Sequence, residues 1–318
     1  MKQSKYNYIE GPVTLTEVIL ESGKHFYIFG DHHFKRRGCL GYDDYINISD
    51  LIEDSINTSD KFIDVFLEID FITDNTIEEV KQKYIDPNTD YITEIYHRFK
   101  DCFNKKDCRF QNARFHYSDI RSIGIFAEYM SFVQNIQGLV DLFNAGLIDR
   151  NKFNEVFKIL LSEGIDIVKR IPRKPEDLYL ISKVNKQLYN INDKDISTKI
   201  YDYFNAQITE KLILAQIVWK TYDINSSYEE IHPGINLYVD VFSILMDFYI
   251  VGRSFRNFNN ESSPNNIIIY AGEIHTDNIQ KFIYDNFTVT LIEKSISPGK
   301  TSRSQCLPIN KFKTPLFS

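Results

Sequence analysis

The sequence predicts an α/β protein in which a central mixed, largely parallel sheet is drawn from the N- and C-terminal segments, with a large helical insertion between them. Three observations carry this. Short runs rich in β-branched and aromatic residues stand near both ends, at HFYIFG (25–30), KFIDVFLEIDF (61–71) and IIIYA (267–271). Between residues 122 and 257 the apolar residues instead recur at helical spacing. Each of the three runs also ends in an abrupt polar exit, as strands do when they end on one sheet edge. With 318 residues, 43% of them hydrophobic, the chain can bury one large core or two ordinary ones. Because strands from both ends must share a sheet, the expectation is a single domain over 1–318 with the helical block 122–257 inserted within it.

In chain order, PVTLTEVIL (12–20), the turn residues ESGK and HFYIFG read as a hairpin with a buried second arm. KFIDVFLEIDF reads as one strand. In CRFQNARFHYSDIR (108–121), Arg114, His116 and Ser118 alternate with Phe115 and Tyr117, giving a strand with one polar and one aromatic face. Ile125, Tyr129, Phe132, Ile136, Val140 and Phe143 then recur every three or four residues as an amphipathic helix. Further helices are expected over 154–170, 175–189, 196–220 and 235–255, separated by the breaks RIPRKP, NINDKD and HPG. Phe132, Ile136, Ile213 and Val241 are expected to be buried there. IIIYA fits a buried parallel strand, and FTVTLIE (287–293) one more strand. The segment 294–318 carries Lys294, Lys300, Arg303, Lys311 and Lys313 with no acidic residue, and Pro298, Pro308 and Pro315 discourage regular structure, so an extended basic tail is expected.

The 37 Lys and Arg against 44 Asp and Glu give a net charge of -7, which argues against a nucleic-acid partner. Cys39, Cys102, Cys108 and Cys306 form no C-x-x-C pair, which points to reduced thiols and to an intracellular soluble protein. The N-terminus lacks an apolar leader, and Gln216, Asp240 and Asp247 interrupt the most apolar stretches, so no membrane span is expected. Neither G-x-x-x-x-G-K-[ST] nor G-x-G-x-x-G occurs, so nucleoside triphosphate chemistry lacks its phosphate loop.

The strand exits hold the chemistry-bearing residues. They present Asp31, His32 and His33 after the first run, Glu68 and Asp70 in the second, and Glu273 and His275 after the third. Imidazoles and carboxylates gathered on one edge can hold a divalent metal or divide acid and base roles. Gly30 and Gly272 each precede a histidine in a Gly-x-x-His arrangement, where a sharp turn needs positive φ or close backbone approach. The competing role for His33 and His275 is that of satisfied buried histidines beside loops. Glu68 in an apolar strand needs a cation, a metal or a histidine opposite it. His116, Asp119 and Arg121 form another polar cluster, either completing the crevice around an anion or making an Asp119–Arg121 ion pair that also caps the helix starting near Ser122.

The paired Gly-x-x-His motifs, Gly30 to His33 and Gly272 to His275, with the strand glutamate Glu68 between them, resemble the TraB/Tiki group and the wider erythromycin-esterase-like and ChaN-like superfamily. That group includes proposed metalloproteases, a metal-independent hydrolase using histidine and glutamate, and a haem-binding protein. The resemblance implies a fold and a site built on His33, Glu68 and His275, not one reaction. These three are the expected catalytic residues, and two imidazoles with a carboxylate are also the facial set that binds zinc, manganese or iron, while Asp31 and Glu273 are expected to orient the imidazoles or to join them as ligands. The blocks HYSDIRS, MDFYIVGRSFRNF and IIIYAGEIHTDN are also similar to stretches in uncharacterised proteins of large DNA viruses, which implies a host-cytoplasmic or virion location. Asp31-His32-His33 beside Lys35, Arg36 and Arg37 resembles the first motif of calcineurin-like metallophosphoesterases, whose other motifs are missing here. The expected function is a hydrolase acting on a small molecule or peptide. The alternative is a non-catalytic viral or host-interaction protein that keeps the fold.

Overall fold

The computed structural model describes residues 6–33, 35–36, 38–39, 41–70, 86, 88–103, 107–258, 264–297 and 305–317. The strands are β1 (Tyr8–Glu10), β2 (Thr14–Leu20), β3 (His25–Asp31), β4 (Tyr45–Asn47), β5 (Ile63–Asp70), β6 (Ala113–Asp119), β7 (Asn266–Gly272), β8 (Val289–Ile296) and β9 (Cys306–Pro308). The helices are α1 (Ile48–Thr58), α2 (Tyr91–Phe103), α3 (Ile125–Asn144), α4 (Arg150–Arg170), α5 (Tyr179–Leu188), α6 (Lys194–Trp219), α7 (Tyr228–Ser254) and α8 (Glu273–Asn286). Contacts divide the chain into two compact units, Met1–Asp119 with Arg253–Ser318, and Ile120–Gly252.

The first unit is the mixed α/β structure. Its six-stranded sheet has the order β6-β5-β7-β3-β2-β8. β6, β5, β7 and β3 run parallel, and β2 and β8 extend the sheet antiparallel. Asn266 is level with both His25 and Ile63, and Asp31 is level with Gly272, so the parallel strands start together and end together. Alternation on β5 sends Ile63, Val65, Leu67 and Ile69 into a core with Phe29, Phe115, Ile268 and Tyr270, covered by α1 and α2. α8 packs on β3 and β7. The sequence supports α1 through Asn47, whose side chain accepts from Ser49 N at 2.8 Å, and through the buried Ile48, Leu51, Ile52 and Ile56.

The C-terminal segment departs from the expected extended tail. Lys294 belongs to β8, and β9 pairs antiparallel with β1 in a second, three-stranded sheet that β4 completes. Pro308 is tolerated because it stands at the last position of β9. Lys300, Arg303 and Pro298 lie outside the described residues. The cysteines also correct the expectation: Cys39 is joined to Cys306 and Cys102 to Cys108. Spacings of 267 and 6 residues carry no pairing signal in a sequence, and the thiol-based ground for an intracellular compartment falls with them.

The second unit is helical, with 3-10 turns at Ile120–Ser122 and Pro175–Asp177. Where the sequence suggests an elaboration of one domain, this block closes a core of its own. α3 contributes Tyr129, Phe132 and Ile136, α6 contributes Phe204, Ile208 and Leu212, and α7 contributes Tyr238, Val241 and Phe242. α3 and α4 approach closely because Gly164 has no Cβ; one placed there would stand 2.5 Å from the Phe132 ring. Asp149 and Asp193 accept backbone N–H groups and start α4 and α6 earlier than apolar spacing indicates.

Two expectations fail here for local reasons. HPG does not interrupt a helix: Ser227 and Glu230 cap each other's backbone, which starts α7 at Tyr228 and places Pro233 inside it. Ile213 is 51% exposed, because the buried stripe of α6 runs through Ile208, Leu212 and Ala215 and leaves the next position outside. α7 is long and apolar enough to cross a bilayer, yet 72% of its most apolar window is buried inside the protein, as a core helix requires.

Candidate functional site

Parallel strands bring their exits to one edge, and the expected residues meet there. Glu68 near the end of β5 stands between two imidazoles, with His33 Nε2 3.2 Å from its Oε2 and His275 Nε2 3.4 Å from its Oε1. Gly272 N donates to Glu68 Oε2 at 2.6 Å from the start of α8, where a helix presents free N–H groups and the positive end of its dipole to a carboxylate. His275 lies in the first turn of α8, not in a loop. It is buried with Glu68, whereas the His33 side chain is 40% exposed. The three groups therefore present one imidazole to solvent and hold the other two groups behind it.

The motif glycines act through close approach. Gly272 has φ -57, and a Cβ there would lie 3.0 Å from His33 Nε2 and 3.3 Å from Glu68 Oε2. A Cβ on Gly30 would press on the hydroxyls of Thr14 and Thr276. Positive φ falls instead on His33 itself, at 52°, an unfavourable conformation for a residue with a Cβ that the surroundings must maintain. Replacing Gly272 with alanine is expected to separate His33 from Glu68. Two-dimensional NMR of the imidazoles should show His33 titrating at lower pH than in the wild type; an unchanged titration would contradict the assigned contact.

Burial pushes the His33 imidazole down, but the Glu68 hydrogen bond and the charges of Glu68, Asp31 and Asp90 outweigh it, and its pKa rises. Burial raises the pKa of Asp31 against opposing contributions from His33, Tyr270 and the backbone. Asp31 accepts from Tyr270 OH at 3.0 Å and from His32 N at 2.7 Å, and is 4.0 Å from His33 Nδ1. His32 turns away to Glu273, 2.8 Å from Nε2 to Oε2. Asp31 thus braces the histidine turn, and Glu273 holds His32.

The remaining expected residues divide. Asp70 and Asp119 are register partners at the ends of β5 and β6, both buried. Arg121 belongs to the 3-10 turn that opens the helical unit. The expected helix cap is replaced by Gly124, at φ 62, with no side-chain bond. His116 stacks on Phe66 and joins a cluster that the sequence does not reveal. Its Nε2 is 2.8 Å from Asp64 Oδ1, while Arg114 donates to the same carboxylate from Nε at 2.7 Å and Nη2 at 3.0 Å. Arg253 Nε donates to His116 Nδ1 at 2.9 Å, and the Arg114 guanidinium lies 3.3 Å from the centroid of Phe258. The available signal was Asp64, a second carboxylate within the apolar run that holds Glu68.

Arg36, expected to attract phosphate, pairs with Glu94 at 3.1 Å and lies over the Tyr91 ring, while Arg37 lies outside the described residues. The metallophosphoesterase resemblance thus has one cation fewer to offer a phosphate. His33 and His275 address different oxygens of Glu68. Among the described residues no group of three His, Cys, Asp or Glu side chains is placed to hold a metal ion.

Comparison with known proteins returns no match to a family model, a curated protein or a solved structure.

Proposed function

We propose that the protein is a hydrolase in which His33 is the general base, Glu68 orients it and His275 fixes Glu68. The observation that carries this reading is the Glu68 carboxylate held between a solvent-facing and a buried imidazole at the ends of the parallel strands. With Nε2–H donating to Glu68, the lone pair of His33 lies on Nδ1. A water giving its proton to Nδ1 adds as hydroxide to the electrophilic carbon of an ester or amide, and the proton then passes to the leaving group as the carbon–heteroatom bond breaks. Glu68 keeps the tautomer and stabilises the imidazolium that forms, as a buried carboxylate does for a catalytic histidine elsewhere. Asp31 holds the backbone turn that aims His33.

The substrate class is a small-molecule or peptide ester or amide. A panel of such substrates, assayed on the wild type and on His33→Ala, tests the reading. Turnover that falls about 10²-fold or more in the variant supports it, while turnover equal in both proteins, or absent from both, overturns it. Melting curves with zinc, manganese or chelator form a separate arm. A metal-induced rise in melting temperature that His275→Ala removes would transfer the role of base to a metal-bound hydroxide.

A further inference from the structure

A hollow of about 350 Å³ opens within the helical unit beside α4, α6 and α7, in the size range of small-ligand sites. Trp219, Tyr222 and Tyr238 line it together with Ile165, Val168 and Ile171. Its other side chains include Lys169, Arg173 and Lys220, and among the described residues no Asp or Glu lines it. Lys169 pairs with Asp166 at 2.9 Å. Arg173 and Lys220 are exposed and have no ion-pair partner among the described residues.

The aromatic wall is fixed in place. Trp219 Nε1 donates to Gly234 O at 2.9 Å, and its ring meets Tyr222 edge-on with centroids 5.6 Å apart. A Cβ on Gly234 would come within 2.6 Å of the Tyr222 ring, so this glycine in α7 gives the two aromatic rings their seat. An apolar, preformed wall beneath two uncompensated cations suits a ligand with an apolar body and one acidic group. We propose that this hollow binds a small amphipathic organic anion, its body against Trp219 and Tyr222 and its carboxylate at Arg173 and Lys220.

Trp219 is the single tryptophan of the chain, so its fluorescence reports on this wall alone. The full-length protein is titrated with decanoate, decanol and inorganic phosphate, following Trp219 emission and, by calorimetry, stoichiometry. The expected result is one decanoate per chain with a saturable change in emission, binding at least about tenfold tighter than decanol, and no response to phosphate. The double variant Arg173→Glu with Lys220→Glu, which changes only exposed side chains, should weaken decanoate about tenfold or more and leave decanol unchanged; about 1.4 kcal/mol corresponds to that factor. Decanol binding as tightly as decanoate, decanoate binding unaltered by the charge reversal, or uptake without a Trp219 response would each overturn the proposal. A saturable response to phosphate alone would overturn it in favour of a simple anion site.

Discussion

Replacing Asp64 with alanine is expected to destabilise the protein by about 3–5 kcal/mol, because it strands a buried guanidinium. Asp64 is fully buried and satisfies both Arg114 and His116, while Arg253 occupies the second nitrogen of that imidazole. His116 must be neutral to donate from Nε2 and accept at Nδ1 at once. Burial drives its pKa down to about 4 despite Asp64, with Arg253 and Arg114 adding to the fall. Burial acts against ionised Asp64, but His116 and Arg114 outweigh it and hold its pKa at about 2. The variant should melt roughly 10 °C lower in a unit of this size, and Asp64→Asn, which keeps an acceptor, should lose less. A loss below about 1 kcal/mol would mean that the cluster is not closed as described.

The same cluster fixes the sign of an acid response. Unfolded, His116 takes up a proton near 6.5, whereas folded it resists until about 4. The unfolded chain therefore binds more protons across that window, and stability falls as pH drops through it. The contribution of Asp64 is present above 3.8 and is lost only as pH falls toward about 2. Thermal melts between these limits should show the histidine component first.

Glu68→Gln is expected to lower kcat/KM on any substrate found by about 10²- to 10⁴-fold. The amide keeps the shape of the side chain while removing the charge that stabilises protonated His33. It also turns an acceptor into a mixed donor and acceptor between two imidazoles and Gly272 N–H. Since the wild-type His33 pKa is raised and the base acts when neutral, activity should rise with pH through an inflection above the ordinary histidine value. In the variant the residual activity should inflect at lower pH. A correctly folded Glu68→Gln protein with unchanged kcat/KM would remove Glu68 from the mechanism, and with it the proposed chemistry.

The sequence carried the site further than the packing around it. Gly30, His33, Glu68, Gly272 and His275 were legible because parallel strands share an end, so that three separate exits had to converge. Asp64 was not, because its partners Arg114 and His116 are about fifty residues away in the chain and nothing in strand alternation says which cation or imidazole will meet which carboxylate. Nearness in sequence groups His116 with Asp119 and Arg121, whereas a strand turns neighbours to opposite faces. The first helix, α1, is marked in the sequence by Asn47 and by the spacing of Ile48, Leu51, Ile52 and Ile56. The start of α7 was hidden because Pro233 and Gly234 outweighed a capping pair a few residues earlier.

The Cys39–Cys306 bond makes a covalent ring of almost the entire polypeptide, its ends 267 positions apart, with the helical unit, the strand bearing Glu68 and the helix bearing His275 all within it. By the chain-entropy model such closure restricts the unfolded ensemble by about 5 kcal/mol. It also changes what a single break can do. A protease that nicks one loop inside the ring opens a circle and releases no fragment, so the product keeps the electrophoretic mass of the uncut chain until a thiol reductant is added. Digests run without reductant will therefore conceal cuts that the same samples reveal once reduced, and only a second nick can shed a piece of the protein.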